Sequence, residues 1–225
     1  MTRVLVLAPH ADDEVLGCGG TMARHISRGD HVSVCVLTNA SVGSPELFSA
    51  EQIVSIREEA KQAHKVLGVS KTDFMELPAP QLDQYPQYKI AQVIGMVLRE
   101  SGAELLYIPH RGDLHMDHGA AYNAALVAAR PLAGQTVKKI LAYETLSETE
   151  WGHPTPDAAF IPTVFSTFGK AEMDAKLAAM ACFASQVKPP PHSRSLEAIE
   201  SLAKLRGATV SHHFAEAFML VREID

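Results

Sequence analysis

Residues 5–20 read LVLAPHADDEVLGCGG. An unbroken apolar run, RVLVLA at 3–8, leads into the stretch and has the composition of a strand buried on both faces. His10 and three consecutive acids, Asp12, Asp13 and Glu14, follow at its end. The apolar spacing after them predicts a helix from about Val15 to Arg28, stopped at Gly29-Asp30. HVSVCVLTN, residues 31–39, reads as a second strand. Strand, helix and strand joined by short links make a βαβ unit, which implies a parallel sheet with a right-handed crossover.

The alternation continues along the chain. SAEQ at 49–52 has capping-box spacing and opens a helix that runs to Leu67, with Gly68 as its stop. TDFMEL (72–77) reads as a third strand, AELLYIPH (103–110) as a fourth and KKILAYET (138–145) as a fifth. Between them lie a loop at 78–88 and helices at 89–101 and 118–129. Beyond residue 146 the pattern lapses: WGHPTPDAAFIPTVF (151–165) reads as irregular, 170–184 and 195–206 as helices, and AEAFMLVREI (215–224) as a terminal strand. KPPPHS (188–193) reads as a stiff connector. The economical architecture is an α/β fold with a Rossmann-like, doubly wound and mostly parallel sheet flanked by helices. The tail has too few strands to close a core alone, so residues 1–225 are expected to form a single domain.

Composition narrows the function classes. A formal net charge of −6 and the lack of a basic run disfavour binding to nucleic acid or to an anionic membrane. The apolar run near Met1 is too short, and too soon followed by acids, for a signal-peptide core or a membrane span, so a cytoplasmic location is expected. A homo-oligomer is compatible with this composition. Cys18, Cys35 and Cys182 are odd in number and lack CxxC spacing, which argues against a disulfide framework or a thiolate metal site.

Three acids side by side need a cation, a basic partner or solvent among them. Ligands of open α/β sheets bind beyond the carboxyl ends of the strands, where PHADDE lies. His10 and Asp13, on one turn, can reach a single ion, but two ligands hold a metal weakly. PHRGDLHMDHGAA (109–121), at the end of the fourth strand, supplies His110, His115 and His118 with Asp113 and Asp117. A histidine from this second cluster would give three protein ligands and leave a position for water, the arrangement of catalytic zinc. The residues alone leave open whether His115 or His118 does so. Two imidazoles and one carboxylate leave the ion a net positive charge with which to acidify water. Asp12, beside a ligand but facing elsewhere, is the candidate base. His115 is the candidate partner for the oxyanion, with Asp117 orienting its ring and raising its pKa. Glu14 offsets the helix dipole and supports a ligand. The glycines of GCGG read as close-packing positions, because no GxGxxG follows the strand and the acids would repel a pyrophosphate.

PHADDEVLGCGG together with DLHMDH resembles the PIG-L/LmbE-like family of metal-dependent N-deacetylases, whose signature is a PHxDDE segment followed by HxDH. IREEAKQAHKVLGV (56–69), AKLAAMACFASQ (175–186) and RGATVSHHFAEAF (206–218) resemble members acting on N-acetylglucosamine-type substrates, including the bacillithiol-pathway branch. The resemblance implies a zinc ion held by His10, Asp13 and His118, and the same donors suit Fe2+ or Co2+. It implies Asp12 as general base and His115 with Asp117 as the electrostatic and acid partner. Arg57 then reaches toward substrate, and Asp113 serves on the substrate side or behind a ligand. The implied reaction removes an N-acetyl group from a small N-acetylated sugar or glycoside and releases acetate; an amidase for a thiol conjugate or another small amide is the alternative. Ala11 departs from the proline common in the family. His212, His213 and Trp151 are secondary pocket candidates, and His110 is read as structural.

Overall fold

A computed structural model describes residues 1–225. One seven-stranded sheet in the order β3-β2-β1-β4-β5-β7-β6 runs through it. β1 (Arg3–Ala8), β2 (His31–Asn39), β3 (Lys71–Pro78), β4 (Leu105–Pro109) and β5 (Lys139–Tyr143) are parallel. β6 (Val164–Phe168) and β7 (Phe214–Glu223) extend the sheet antiparallel, β7 against β5 and β6 on its outer edge.

The apolar runs are unbroken because both faces of the central strands are covered. Val4, Val6 and Ala8 of β1 pack with α1 (Asp13–Ser27), α3 (Ala50–Leu67), α6 (Lys170–Ala181) and α7 (Leu196–Thr209). Leu5 and Leu7 point the other way, against α4 (Gln87–Ser101) and α5 (Met116–Ala128). α3 has the ends its sequence predicts. The Gln52 N–H donates to Ser49 Oγ (3.2 Å), the Ser49 N–H donates to Gln52 Oε1 (2.7 Å), and Gly68 closes the helix at φ 84°.

The glycines of α1 are packing positions. A Cβ on Gly17 would enter the Tyr143 ring, and one on Gly20 the Phe168 ring. Glu216 of β7 accepts the N–H groups of Gly20 (2.9 Å) and Thr21 (2.7 Å), and Lys176 of α6 bridges Glu216 (2.5 Å) and the Leu16 carbonyl (2.7 Å). This buried ion pair ties α1 to α6 and β7.

Several boundaries differ from the sequence reading. α1 and α5 begin at Asp13 and Met116, each two residues before the apolar periodicity sets in, because their first turns carry site residues rather than core residues. Between β2 and α3 lies a short helix, α2 (Ala40–Gly43), capped by Asn39, where no element is expected from the sequence. α6 ends at Ala181 rather than at 184. β6 falls across the end of a stretch read as irregular: prolines crowd its approach, and as an edge strand it buries only Ser166 and Phe168.

β1 leads to β2 on one side and β4 leads to β5 on the other, so the strand order reverses between the paired strands β1 and β4. Their carboxyl ends open the crevice where open α/β sheets bind ligands.

Candidate active site

β1 ends at Ala8 and delivers His10, Asp12 and Asp13; β4 ends at Pro109 and delivers Asp113, His115, Asp117 and His118. Asp13 Oδ2 is the hub. It accepts the His10 N–H (2.8 Å) and lies 3.3 Å from His10 Nδ1 and 3.3 Å from His118 Nε2. Two ligands about 2.1 Å from a tetrahedral ion are about 3.4 Å apart, so both separations match the edge of such a site. The ligand atoms of His10, Asp13 and His118 lie within 4.8 Å of one another.

His10, His115 and Asp117 form a second cluster within the same limit. Most of its donor atoms are already engaged, His115 Nε2 excepted: Asp117 Oδ2 meets His10 Nε2 (3.1 Å), Asp117 Oδ1 accepts the Leu82 N–H (2.8 Å), and His115 Nδ1 accepts the Asp117 N–H (3.2 Å). His118 differs. Its Nδ1 is paired with Asp113 Oδ2 (2.7 Å), whose other oxygen accepts the Thr149 hydroxyl (2.6 Å). That pairing leaves Nε2 facing Asp13, buried and without a hydrogen-bond partner. A buried orphan nitrogen opposite a carboxylate fits a cation, and choosing by satisfied atoms favours His118 over His115.

The charges agree with this fit. Burial opposes ionisation of His10, but hydrogen bonds to Asp117 and Asp13 overcome it and raise its pKa to about 9. Burial likewise opposes a charged His118, yet Asp13 and Asp113 hold it well above the ordinary imidazole range. Asp13 is buried too, and the two imidazoles keep it well below the usual carboxylate range. Raised imidazole pKa values around a lowered carboxylate mark a place that favours positive charge.

Asp12 caps α1 with its backbone alone, at φ 123°, a left-handed conformation costly for a residue with a side chain. Glu14 steadies it, taking the Asp12 N–H on Oε2 (3.2 Å) while Oε1 pairs with His64 of α3 (2.8 Å). The Asp12 carboxylate is therefore free to face the cavity, where Arg194 Nη1 meets it at 3.2 Å. Burial and repulsion from Asp13 and Glu14 lift its pKa to about 8 against the pull of Arg194. For His115 the structure corrects one expectation. The Asp117 carboxylate sits on His10 rather than on His115, and burial together with His10 lowers the His115 pKa to about 4, outweighing the charge of Asp117.

Arg57 lines the same cavity, but its guanidinium is held by Glu76 (2.7 Å) and the Met75 carbonyl (2.8 Å). Both Asp113 oxygens are engaged with His118 and Thr149. His110 is structural, bonded to the Ala158 carbonyl at 2.8 Å; Trp151, His212 and His213 are exposed and outside the cavity lining. Sequence reasoning missed Glu148, Gln186 and Arg194, which form one wall. Arg194 reaches Ser147 (2.6 Å), Gln186 (3.1 Å) and Glu148 (3.5 Å) from the end of the Pro-rich segment. No spacing rule marks them, since their elements meet only in the tertiary fold.

A family model described as PIG-L, GlcNAc-PI de-N-acetylase, matches residues 5–129. The chain belongs to the PIG-L family. Both clusters lie inside the matched span. The uncharacterized deacetylase YaiS of Escherichia coli K12 is 29% identical over 181 residues, 79% of this chain and 88% of the relative. A probable N-acetyl-alpha-D-glucosaminyl L-malate deacetylase 2 of Bacillus anthracis is 26% identical over 160 residues, 68% and 71% of the two chains. The structure of the N,N'-diacetylchitobiose deacetylase of Pyrococcus horikoshii superposes with a TM-score of 0.75 at 19% identity, covering 97% of this PIG-L chain and 83% of that one. The hydratase GalB of Pseudomonas putida KT2440 superposes equally well, with a TM-score of 0.77 at 22% identity over 100% and 98% of the two chains. The fold alone therefore does not choose a reaction.

Proposed function

We propose that residues 1–225 act as one metal-dependent N-deacetylase domain, removing the N-acetyl group from an N-acetylglucosamine-containing or related sugar and releasing acetate. One observation carries the reading: the unpaired, buried His118 Nε2 faces Asp13 at tetrahedral-edge distance beside His10. His10, Asp13 and His118 would hold the cation, with zinc the best fit to this donor set and Fe2+ or Co2+ compatible with it. When bound, such a cation supplies Lewis acidity for the acetamide carbonyl and a water of lowered pKa.

The chain's own residues supply proton transfer and orientation. Asp12, fixed by Glu14 behind and Arg194 in front, takes the proton of the attacking water and returns it to the departing nitrogen. His115 is neutral near pH 7. Because its Nδ1 accepts a backbone N–H, its proton lies on Nε2, ready to donate to the oxyanion. Asp117 orients His10, Asp113 orients His118, and Arg57 borders the substrate.

Acetate release from a panel of N-acetylated sugars, with and without chelator, tests the reaction. Asp12→Asn should keep the metal and lose about 100-fold to 10,000-fold in turnover. A variant as active as the parent removes Asp12 as the base, and undiminished activity in the chelated protein removes the metal.

A further inference from the structure

The candidate base, Asp12, sits at φ 123°, a conformation that a residue with a side chain keeps only where its surroundings impose it. Two groups of bonds set that angle from either side. The Asp12 carbonyl starts α1, accepting the N–H groups of Val15 (3.1 Å) and Leu16 (2.9 Å). The preceding peptide is fixed by Glu14, whose Oε2 accepts the Asp12 N–H (3.2 Å). The Asp12 carboxylate makes no capping bond to α1 and is thereby left to face the cavity.

Glu14 can hold that N–H only if its own carboxylate is held. It is fully buried beside two further acids, Asp12 and Asp13, so its other oxygen needs a donor. His64 of α3 is in place to supply one: Nε2 lies 2.8 Å from Glu14 Oε1, and Nδ1 lies 2.8 Å from the Thr72 hydroxyl of β3. The backbone beneath the ring is pinned as well. The His64 carbonyl accepts the N–H groups of Gly68 and Val69 (both 2.9 Å) in the turn that closes α3. A residue that only filled this space would be apolar, whereas both ring nitrogens meet polar atoms. His64 is buried and does not line the cavity, so it reaches the reaction only through Glu14.

Resting on the deacetylase reading, we propose that His64 is a positioning residue: braced by Thr72, it locks Glu14 onto the Asp12 backbone and so aims the Asp12 carboxylate at the attacking water. Without the imidazole, Glu14 turns to find another partner and Asp12 relaxes from its left-handed conformation. A displacement of about 1 Å at the base costs about 100-fold in rate.

His64→Leu fills similar space with neither polar atom. At saturating zinc it should lower kcat about 10-fold to 100-fold and leave KM close to that of the parent. His64→Gln, whose amide can donate to Glu14 from the place of Nε2, should recover most of that loss, and Thr72→Val should fall between them. A merely structural residue would lower Tm and leave the kcat of the folded protein unchanged. Parental kcat in His64→Leu, a loss confined to KM, or a glutamine variant as slow as the leucine variant overturns the proposal. If His64→Leu does not fold, Thr72→Val decides: a lowered kcat supports the relay and a parental kcat overturns it. Crystal structures of the same variants need no turnover. Asp12 moved out of the positive-φ region supports the positioning role even in a protein that hydrolyses no amide, which would remove only the deacetylase reading. Asp12 at its parental φ, with its carboxylate still on Arg194, overturns the role and keeps the reaction.

Discussion

His118 shows how one buried side chain is prepared for a ligand. Asp113 fixes its tautomer and Thr149 fixes Asp113, so Asp113→Asn should weaken zinc binding about 10-fold to 100-fold, read by competition with a chromophoric chelator. His10 and Asp12 give the metal-free protein a distinctive pH response. The His10 pKa rises from 6.5 to about 9, so its stabilisation is complete below pH 6.5 and lost toward pH 9. The Asp12 pKa rises from 3.8 to about 8, so its contribution is complete below pH 3.8 and lost toward pH 8, overlapping the lower part of the His10 window. The Tm of chelated protein should therefore fall between pH 6.5 and 9, while zinc, competing with fewer protons, should stabilise more strongly at the upper end. Scanning fluorimetry with and without zinc checks this; a chelated protein whose Tm rises across the window contradicts the assigned environments. The candidate ligands were legible in the sequence because residues clustered at strand ends declare themselves. Arg194 was not, because a lone arginine after a run of prolines carries no spacing signal.

At the level of elements, α1 carries the first cluster and its placement depends on contacts far from the cavity. Gly20 lets it approach Phe168, and the Lys176–Glu216 pair holds it to α6 and β7. Gly20→Ala should destabilise the fold by about 1–3 kcal/mol through overpacking, and Glu216→Ala by about 3–5 kcal/mol, since it strands a buried ammonium. Urea denaturation measures both, and a change under 0.5 kcal/mol in Glu216→Ala, roughly the scatter of surface substitutions, would show that the pair does not anchor α1. The five parallel strands and the ends of α3 could be read from apolar runs and capping chemistry. The edge strand β6 could not, because half-exposed residues behind prolines lack the contrast that alternation needs. The starts of α1 and α5 were displaced for a related reason: where a helix's first turn belongs to a site, hydrophobic periodicity begins late.

Across the whole molecule, the reversal of strand order between β1 and β4 brings together two clusters about a hundred residues apart in sequence. No helix is long and apolar enough to cross a membrane. The meeting of the clusters was legible as topology, since a doubly wound sheet places successive strand ends on one edge. The cavity lining was not, because Glu148, Gln186 and Arg194 come from segments that meet only in the tertiary fold. The most direct test is a zinc-edge anomalous difference map from zinc-loaded crystals. The expected result is a peak about 2.0–2.2 Å from a nitrogen of His10, an oxygen of Asp13 and Nε2 of His118. A peak elsewhere, or none between those three side chains at full zinc loading, would contradict the account.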